Sequence, residues 1–84
     1  MNVMKFENVT AAKLQAAKEH LSAKGAVIVA APDGNSGTIS GYGVRADFSF
    51  DFQTGVLTVD IRDKPFFVPD AMIQSQISEG LAKA

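Results

Sequence analysis

Apolar and polar residues alternate most regularly between positions 44 and 52. The even positions are apolar and the odd positions are polar or charged, which is the period of a strand with one face in the core. The apolar set is Val44, Ala46, Phe48, Phe50 and Phe52. The residues after Gly55 continue the pattern, with Leu57, Val59 and Ile61 on one face. The two segments therefore predict an antiparallel hairpin with three Phe rings on its inner face.

Two registers are compatible with this hairpin, because opposed residues of an antiparallel pair must share a face. The first register pairs Phe52 with Leu57, Phe50 with Val59 and Phe48 with Ile61. It sets Asp47 opposite Arg62, whereas the second sets Asp47 opposite Asp60 and Arg45 opposite Arg62. Complementary charge favours the first register. It implies a two-residue turn or a four-residue loop in which Gly55 supplies the positive φ.

Helical periodicity predicts one helix near each end of the chain. The first follows Asn8, a candidate N-cap, and ends at Gly25, a residue that readily adopts the left-handed conformation of helix ends. The second begins at Pro69 and Asp70, which suit the first turn of a helix. The apolar stripes are Thr10, Leu14, Ala17 and Leu21 in the first helix and Ile73, Ile77, Leu81 and Ala84 in the second.

A further strand is predicted from residues 26 to 31, which are apolar on both parities. Such a strand is covered on both faces or by a neighbouring subunit. Turn-forming residues at 32–37 should reverse the chain into a long second strand, which Gly41 and Gly43 would bend around Tyr42. The predicted fold is therefore α+β in the order α-β-β-β-α, a three-stranded antiparallel meander with two helices packed on the face that carries the Phe rings. The layout is similar to that of small bacterial proteins of unassigned role, such as those of the polyhydroxyalkanoate system, and this similarity transfers no residue role.

Composition narrows the classes of partner. A chain of 84 residues suits one domain, and a net charge of −1 without blocks of like charge gives no electrostatic footprint for nucleic acid. The longest apolar run, residues 26–31, is far shorter than the ~20 residues that a membrane-spanning helix needs. The first residues lack the pattern of a secretory signal, and the chain has no Cys. We expect a cytoplasmic protein with no nucleic-acid partner and no membrane insertion.

The residues that most often carry catalysis are sparse. His20 is the only His, so the usual triads cannot assemble, and its place in the first helix indicates a surface or boundary residue. Asp47, Asp51 and Asp60 share the outer face of the hairpin, where solvent would keep them ordinary carboxylates. The segment 33–37 resembles the start of a calcium loop but lacks the closing Glu, so a hairpin turn is favoured. We predict no enzyme, no cofactor and no metal site.

The segment from Lys64 to Met72 carries an apolar excess. Phe66 and Phe67 are adjacent, so an extended chain would direct them to opposite sides, and Met72 lies off the stripe of the second helix. The loop could fold over both rings, form an oligomer or partner interface, or line a small apolar pocket. The candidate interface residues are Phe66, Phe67, Met72, Val27 and Val29. The favoured hypothesis is a non-enzymatic protein-interaction or self-associating module, which would act with a protein partner or as a homo-oligomer. The alternative is a carrier of a small apolar ligand held between helices and sheet.

Overall fold

The computed structural model describes residues 2–84, which form five strands and two helices. In chain order the elements are β1 (Asn2–Phe6), α1 (Ala11–Ala23), β2 (Val27–Ala30), β3 (Ser36–Gly41), β4 (Val44–Asp51), β5 (Val56–Asp63) and α2 (Asp70–Leu81). The strands make one antiparallel sheet in the order β1-β5-β4-β3-β2. The α+β class and the antiparallel sheet are confirmed, but the prediction of three strands is too few.

The first missing strand is β1, at one edge of the sheet. It pairs with β5 from Asn2 opposite Ile61 to Phe6 opposite Leu57. Five residues are too few to display a period, and the partner strand lies more than fifty residues further along the chain. Local pattern therefore carried no signal for this strand.

The second missing strand arises because the predicted long strand is two strands. β3 and β4 are joined by a two-residue turn in which Tyr42 has φ 55° and Gly43 has φ 77°. Positive φ at both central residues defines the type I′ hairpin turn, whose first position usually holds Asn, Asp or Gly. Because Tyr42 occupies that position, the sequence indicated a bend in one strand and not a turn between two.

The hairpin of β4 and β5 adopts the register that charge seemed to disfavour. The observed pairs include Phe50 with Leu57 and Phe48 with Val59. Asp47 lies opposite Asp60. Arg62 offsets the repulsion between these two carboxylates by pairing with both: its Nε is 2.8 Å from Asp47 Oδ2 and its Nη2 is 3.4 Å from Asp60 Oδ2. A bulge next to Arg45 sets it opposite Asp63 instead of Arg62. The criterion of complementary charge failed because it considered only residues directly opposite each other.

The register also moves Phe52 out of the core. β4 ends at Asp51, so Phe52 lies in a four-residue loop and is 70% exposed. The Asp51 carboxylate accepts hydrogen bonds from the backbone N–H of Gln53 at 2.9 Å and Thr54 at 3.4 Å, and Gly55 closes the loop at φ 73°. Gly55 therefore supplies the positive φ as expected, but the loop spans residues 52–55 in a register other than the predicted one, and the inward position of Phe52 is wrong.

The core lies between the inner face of the sheet and both helices, as expected. Its buried side chains are Val9, Leu14, Ala17, Ala46, Phe48, Phe50, Leu57, Val59, Ile61, Ile77 and Leu81. Thr10 is the N-cap of α1 and not part of its stripe, because its Oγ1 accepts a hydrogen bond from Lys13 N at 3.2 Å. Asn8 lies outside the helix at φ 59°, and Ala84 lies beyond α2 and is exposed.

The two helices run antiparallel between the two ends of the sheet. The Gly55 end carries the β4–β5 loop, and α1 begins beside it, where Val9 N donates to Gly55 O at 2.8 Å. The Tyr42 end carries the β3–β4 turn, and the segment leading into α2 contacts it: a Cβ placed on Gly43 would lie 2.9 Å from Pro65 Cγ. The helices touch where Gly80 meets Ala17, since a Cβ on Gly80 would lie 2.8 Å from Ala17 Cα.

Candidate functional site

A cavity of about 360 Å³ opens at the Tyr42 end, between the helices and the inner face of the sheet. Leu21 of α1 and Ile73 of α2 form two of its walls, and Ala46 and Val59 lie on its sheet side. Its volume lies within the ~300–1,000 Å³ typical of small-molecule pockets. For a chain of 84 residues this is a large space left in the helix–sheet layer.

Small residues on the sheet create the cavity. Along β4 the inward side chains are Val44 and Ala46 toward the Tyr42 end and Phe48 and Phe50 toward the Gly55 end, so the rings fill the layer only toward the Gly55 end. On β3, Gly41 lies opposite Val44 and contributes no side chain, and a Cβ there would lie 3.0 Å from Ala26 Cα. The sheet is therefore shallow below the walls that α1 and α2 provide.

Most of the lining is apolar, and its polar groups are few. Gln76 of α2 lines the cavity, and its Oε1 is buried without a hydrogen-bond partner among residues 2–84. Lys24 is the one charged residue of the lining in the described part of the chain, and it is exposed. Tyr42 of the lining is exposed as well. Such a site can hold an apolar molecule.

Phe66 and Phe67 occupy the tip of a tight turn before α2. Val68 N donates to Pro65 O at 3.1 Å, and Lys64 Nζ donates to Val68 O at 2.7 Å, which holds the turn closed. The two rings contact each other edge to face, with centroids 5.6 Å apart. They are 96% and 72% exposed. The alternative in which the loop folds over and buries both rings is therefore wrong, and neither ring enters the core as it could in an extended chain.

Strand β2 presents two valines on the outer face of the sheet. Ile28 faces the core, whereas Val27 is 59% and Val29 66% exposed. β2 is an edge strand, so its outer backbone edge has no partner strand in the described chain. The helices cover only its inner face, and the prediction of a strand covered on both faces is not met within residues 2–84.

The five candidate interface residues are thus distributed over three places. The valines lie on the outer face of β2, the two rings on the turn before α2, and Met72 at the cavity, where it is partly exposed. The cavity lies between the helices and the sheet, where the alternative hypothesis places an apolar ligand, but the residues that line it were not predicted. Comparisons with models of protein families, with curated proteins and with solved structures find no match to this chain.

The Asp carboxylates considered as candidates for catalysis make structural contacts. Asp47 and Asp60 share Arg62, and the hydrogen bond that Arg62 Nε donates to Asp47, together with the charge of Asp60, raises the pKa of Arg62. In the β2–β3 connection Asp33 Oδ1 accepts from Asn35 N at 2.9 Å, and Gly34 has φ 75°. The hairpin turn predicted there is confirmed.

His20 is half-buried on α1, where it packs beside Gly80 of α2. This agrees with its assignment as a boundary residue. Its Nε2 is buried and finds no hydrogen-bond partner in the part of the chain that the structure describes. Across residues 2–84, no three residues of the types His, Cys, Asp and Glu are grouped so that they could hold a metal ion. Neither helix of the described chain has the length and apolar character needed to cross a membrane.

Proposed function

We propose that this protein is a cytoplasmic, non-enzymatic interaction module that self-associates through strand β2. The observation that supports the proposal is the exposure of Val27 and Val29 on an edge strand without any charged residue. Edge strands normally avoid pairing with other chains by carrying charges or Pro, or by being covered. β2 carries none of these devices between Val27 and Ala30, and only its shortness opposes pairing.

A second copy of the chain is the partner that β2 suits best. An antiparallel pair formed by a strand with its own copy obeys a two-fold axis, so one surface serves both subunits. Such pairing would bring the valines of both copies together on one face, removing them from water. At the opposite edge β1 carries Lys5 on its outer face, which disfavours the equivalent pairing there. The proposed dimer therefore uses one edge only.

The exposed rings of Phe66 and Phe67 would add contact area beyond the strand pair. Aromatic side chains are enriched in interfaces because they bury large apolar area at a low cost in side-chain entropy. A four-residue strand pair alone is small, so further buried area is needed for a stable complex. The turn is closed by Lys64, which presents both rings without a large ordering cost.

Light scattering during size-exclusion chromatography tests the dimer. The wild-type chain at high micromolar concentration should elute as a dimer, and Val29→Lys should be monomeric because it puts a charge on the pairing edge. Val3→Lys is the matched control, since Val3 is exposed on the outer face of the other edge strand. Both variants add one Lys to the same face of the sheet.

A wild-type chain that is monomeric at this concentration would contradict self-association. Equal loss of dimer in both Lys variants would place the contact elsewhere than β2. The double variant Phe66→Ser with Phe67→Ser should weaken the dimer without abolishing it. If that variant alone were monomeric while Val29→Lys remained dimeric, the turn and not the strand would be the interface.

The cavity favours a second candidate function, carriage of a small apolar ligand. A space of about 360 Å³ with a mostly apolar lining and a rim open to solvent is what such a ligand requires. Native mass spectrometry of freshly purified protein should then reveal a bound small molecule. A ligand-free spectrum, together with failure to bind an apolar fluorescent dye, would remove this candidate.

A further inference from the structure

The two exposed rings of the turn before α2, Phe66 and Phe67, form a ring pair that lies beside the cavity. Val68, the residue that follows the ring pair, lines the cavity. Pro65, the residue that precedes it, contacts the β3–β4 turn at the same end of the molecule. The Tyr42 end therefore carries an apolar protrusion and an apolar cavity side by side.

The cavity has the volume of two aromatic rings. An apolar cavity of about 150 Å³ in another protein accommodates one benzene molecule, so two rings of that size need about 300 Å³. The cavity here measures about 360 Å³, and Ile39, Val59 and Ile77 are among the aliphatic residues that line it. Phe66 and Phe67 are 96% and 72% exposed in the single chain. The empty volume of one copy therefore matches the apolar volume that a second copy exposes.

The turn restrains the ring pair from filling the cavity of its own chain. Lys64 Nζ donates to Val68 O at 2.7 Å and lies 3.3 Å from Asp70 Oδ1, so the turn is fastened to the start of α2. Val68 is at the same time part of the cavity wall. Folding the rings back would break both contacts of Lys64, whereas a second copy can approach the cavity with its turn intact.

We propose that the ring pair of one copy inserts into the cavity of a second copy, whose own ring pair fills the cavity of the first. Because each ring pair lies next to the cavity of its own chain, a single two-fold axis in front of the Tyr42 end produces both contacts. This exchange goes beyond pairing through β2 and does not depend on it. An antiparallel β2 pair directs the Tyr42 ends of its copies in opposite directions, so a chain makes the two contacts with different copies.

Other occupants suit this end of the molecule less well. Asp63 and Asp70 flank the turn against the single charge of Lys64, a balance that gives no attraction to an anionic bilayer surface. A small apolar ligand would fill the cavity but leave both rings in water. Insertion of a second copy's rings removes the exposed apolar surface and the empty volume together, which makes it the more favourable arrangement.

NMR of a chain that does not pair through β2 isolates this contact. Isotope-labelled and unlabelled copies of Val29→Lys are mixed at millimolar concentration, since an interface of two ring pairs is smaller than that of a stable dimer. We expect NOEs between the ring protons of one copy and the methyl groups of Ile39, Val59 and Ile77 in the other. Absence of these intermolecular NOEs would overturn the proposal.

Two variants that each keep one half of the contact give a sharper test in the same Val29→Lys chain. Phe66→Ser with Phe67→Ser keeps the cavity and removes the rings, whereas Ala46→Phe keeps the rings and places a ring of its own in the cavity. Neither variant should show the NOEs alone. Their mixture should show them in one direction only, with association weakened roughly tenfold because one of the two contacts is left. A mixture without NOEs would contradict the exchange.

Two further variants control this experiment. Phe52→Ser removes an exposed ring at the Gly55 end, and it should leave the intermolecular NOEs unchanged. If it abolished them as well, association would follow from exposed rings in general and not from insertion into the cavity. Val44→Phe introduces a ring at another residue of the lining and replaces Ala46→Phe if that variant does not fold.

Toluene, which corresponds to the Phe side chain as a free molecule, separates the exchange from the carrier function. If the copies exchange rings, toluene should enter the cavity, displace the ring pair and reduce the intermolecular NOEs. If toluene shifts the cavity resonances of Val29→Lys and no intermolecular NOE exists without it, the cavity is a small-ligand site and the exchange is wrong. Either result leaves pairing through β2 to its own test, because that dimer is measured on the wild-type chain.

Discussion

The two ends of the helix–sheet layer contain the same elements but are filled differently. At the Gly55 end the rings of Phe48 and Phe50 occupy the space between sheet and helices. At the Tyr42 end no aromatic ring fills this space: the inner face of the sheet holds Ala46 opposite Ile39 and Gly41 opposite Val44, and a cavity of about 360 Å³ remains. Residue size along one strand therefore divides the layer into a packed part and an open part.

The helix starts differ between the same two ends. α1 begins at the Gly55 end with Thr10, whose hydroxyl caps the first turn. α2 begins at the Tyr42 end with Pro69, which makes no side-chain cap hydrogen bond within the described residues. Lys64 ties that start by its 3.3 Å ion pair with Asp70. The packed end is thus also the end at which a side chain caps a helix directly. We therefore expect the packed end to supply most of the free energy of unfolding.

Truncating a ring at the packed end should have the largest effect. Phe48→Ala removes a buried ring that also faces the ammonium group of Lys18 at 5.6 Å, and we expect a loss of about 3–5 kcal/mol in the free energy of unfolding. Ile73→Ala at the open end should cost less than about 2 kcal/mol, because that side chain is half-buried and borders empty space. Urea unfolding of both variants measures the difference. Equal costs would contradict the division into packed and open ends.

Enlarging the helix contact should be the next largest effect. Gly80→Val places atoms where Ala17 Cα already lies within contact distance, and overpacking of this kind costs about 1–3 kcal/mol. Ser78→Val on the exposed side of α2 is the control for the helix propensity of Val. Thermal unfolding that ranks the two variants equally would show that the helices can separate at this point without loss.

The sequence pattern predicted those strands and helices that have one buried face and one exposed face. The alternation in β4 and β5 and the stripe of α2 were visible because each has one buried side. β1 was not predicted because its partner is distant in the chain. The register was not predicted because Arg62 contacts Asp47 diagonally on the neighbouring strand and Asp60 two residues earlier on its own strand. Pairing between distant segments and diagonal contacts are properties of the assembled sheet, which local periodicity does not contain.

The candidate site was anticipated less well than the fold. The apolar excess in Phe66 and Phe67 was recognised, but the tight turn that exposes both rings depends on Lys64 reaching the Val68 carbonyl. The cavity depends on small residues of separate strands meeting on one face, so no single segment signals it. Gln76 was unremarkable in the sequence because only burial leaves its oxygen without a partner.

Removing the cap at the packed end should have an intermediate effect. Thr10→Ala deletes the acceptor for Lys13 N, and we expect a loss of about 1 kcal/mol. Thr10→Ser retains the hydroxyl and should be nearly neutral. Hydrogen exchange of the amides in the first turn of α1 reports the change locally. A cost for Thr10→Ser as large as for Thr10→Ala would mean that the methyl group, and not the cap, is what stabilises this turn.

Adding a small side chain at the open end should have the smallest effect, and the same addition at the contact between the helices provides the contrast. Ala46→Val extends into the cavity, so its free energy of unfolding should lie within about 1 kcal/mol of the wild type or increase. Ala17→Val adds the same atoms against Gly80 and should destabilise by about 1–3 kcal/mol. Because both alanines are buried, exposure cannot explain a difference between the variants. Equal destabilisation would mean that the open end has no usable space, and a ligand there would have to displace side chains instead of occupying a cavity.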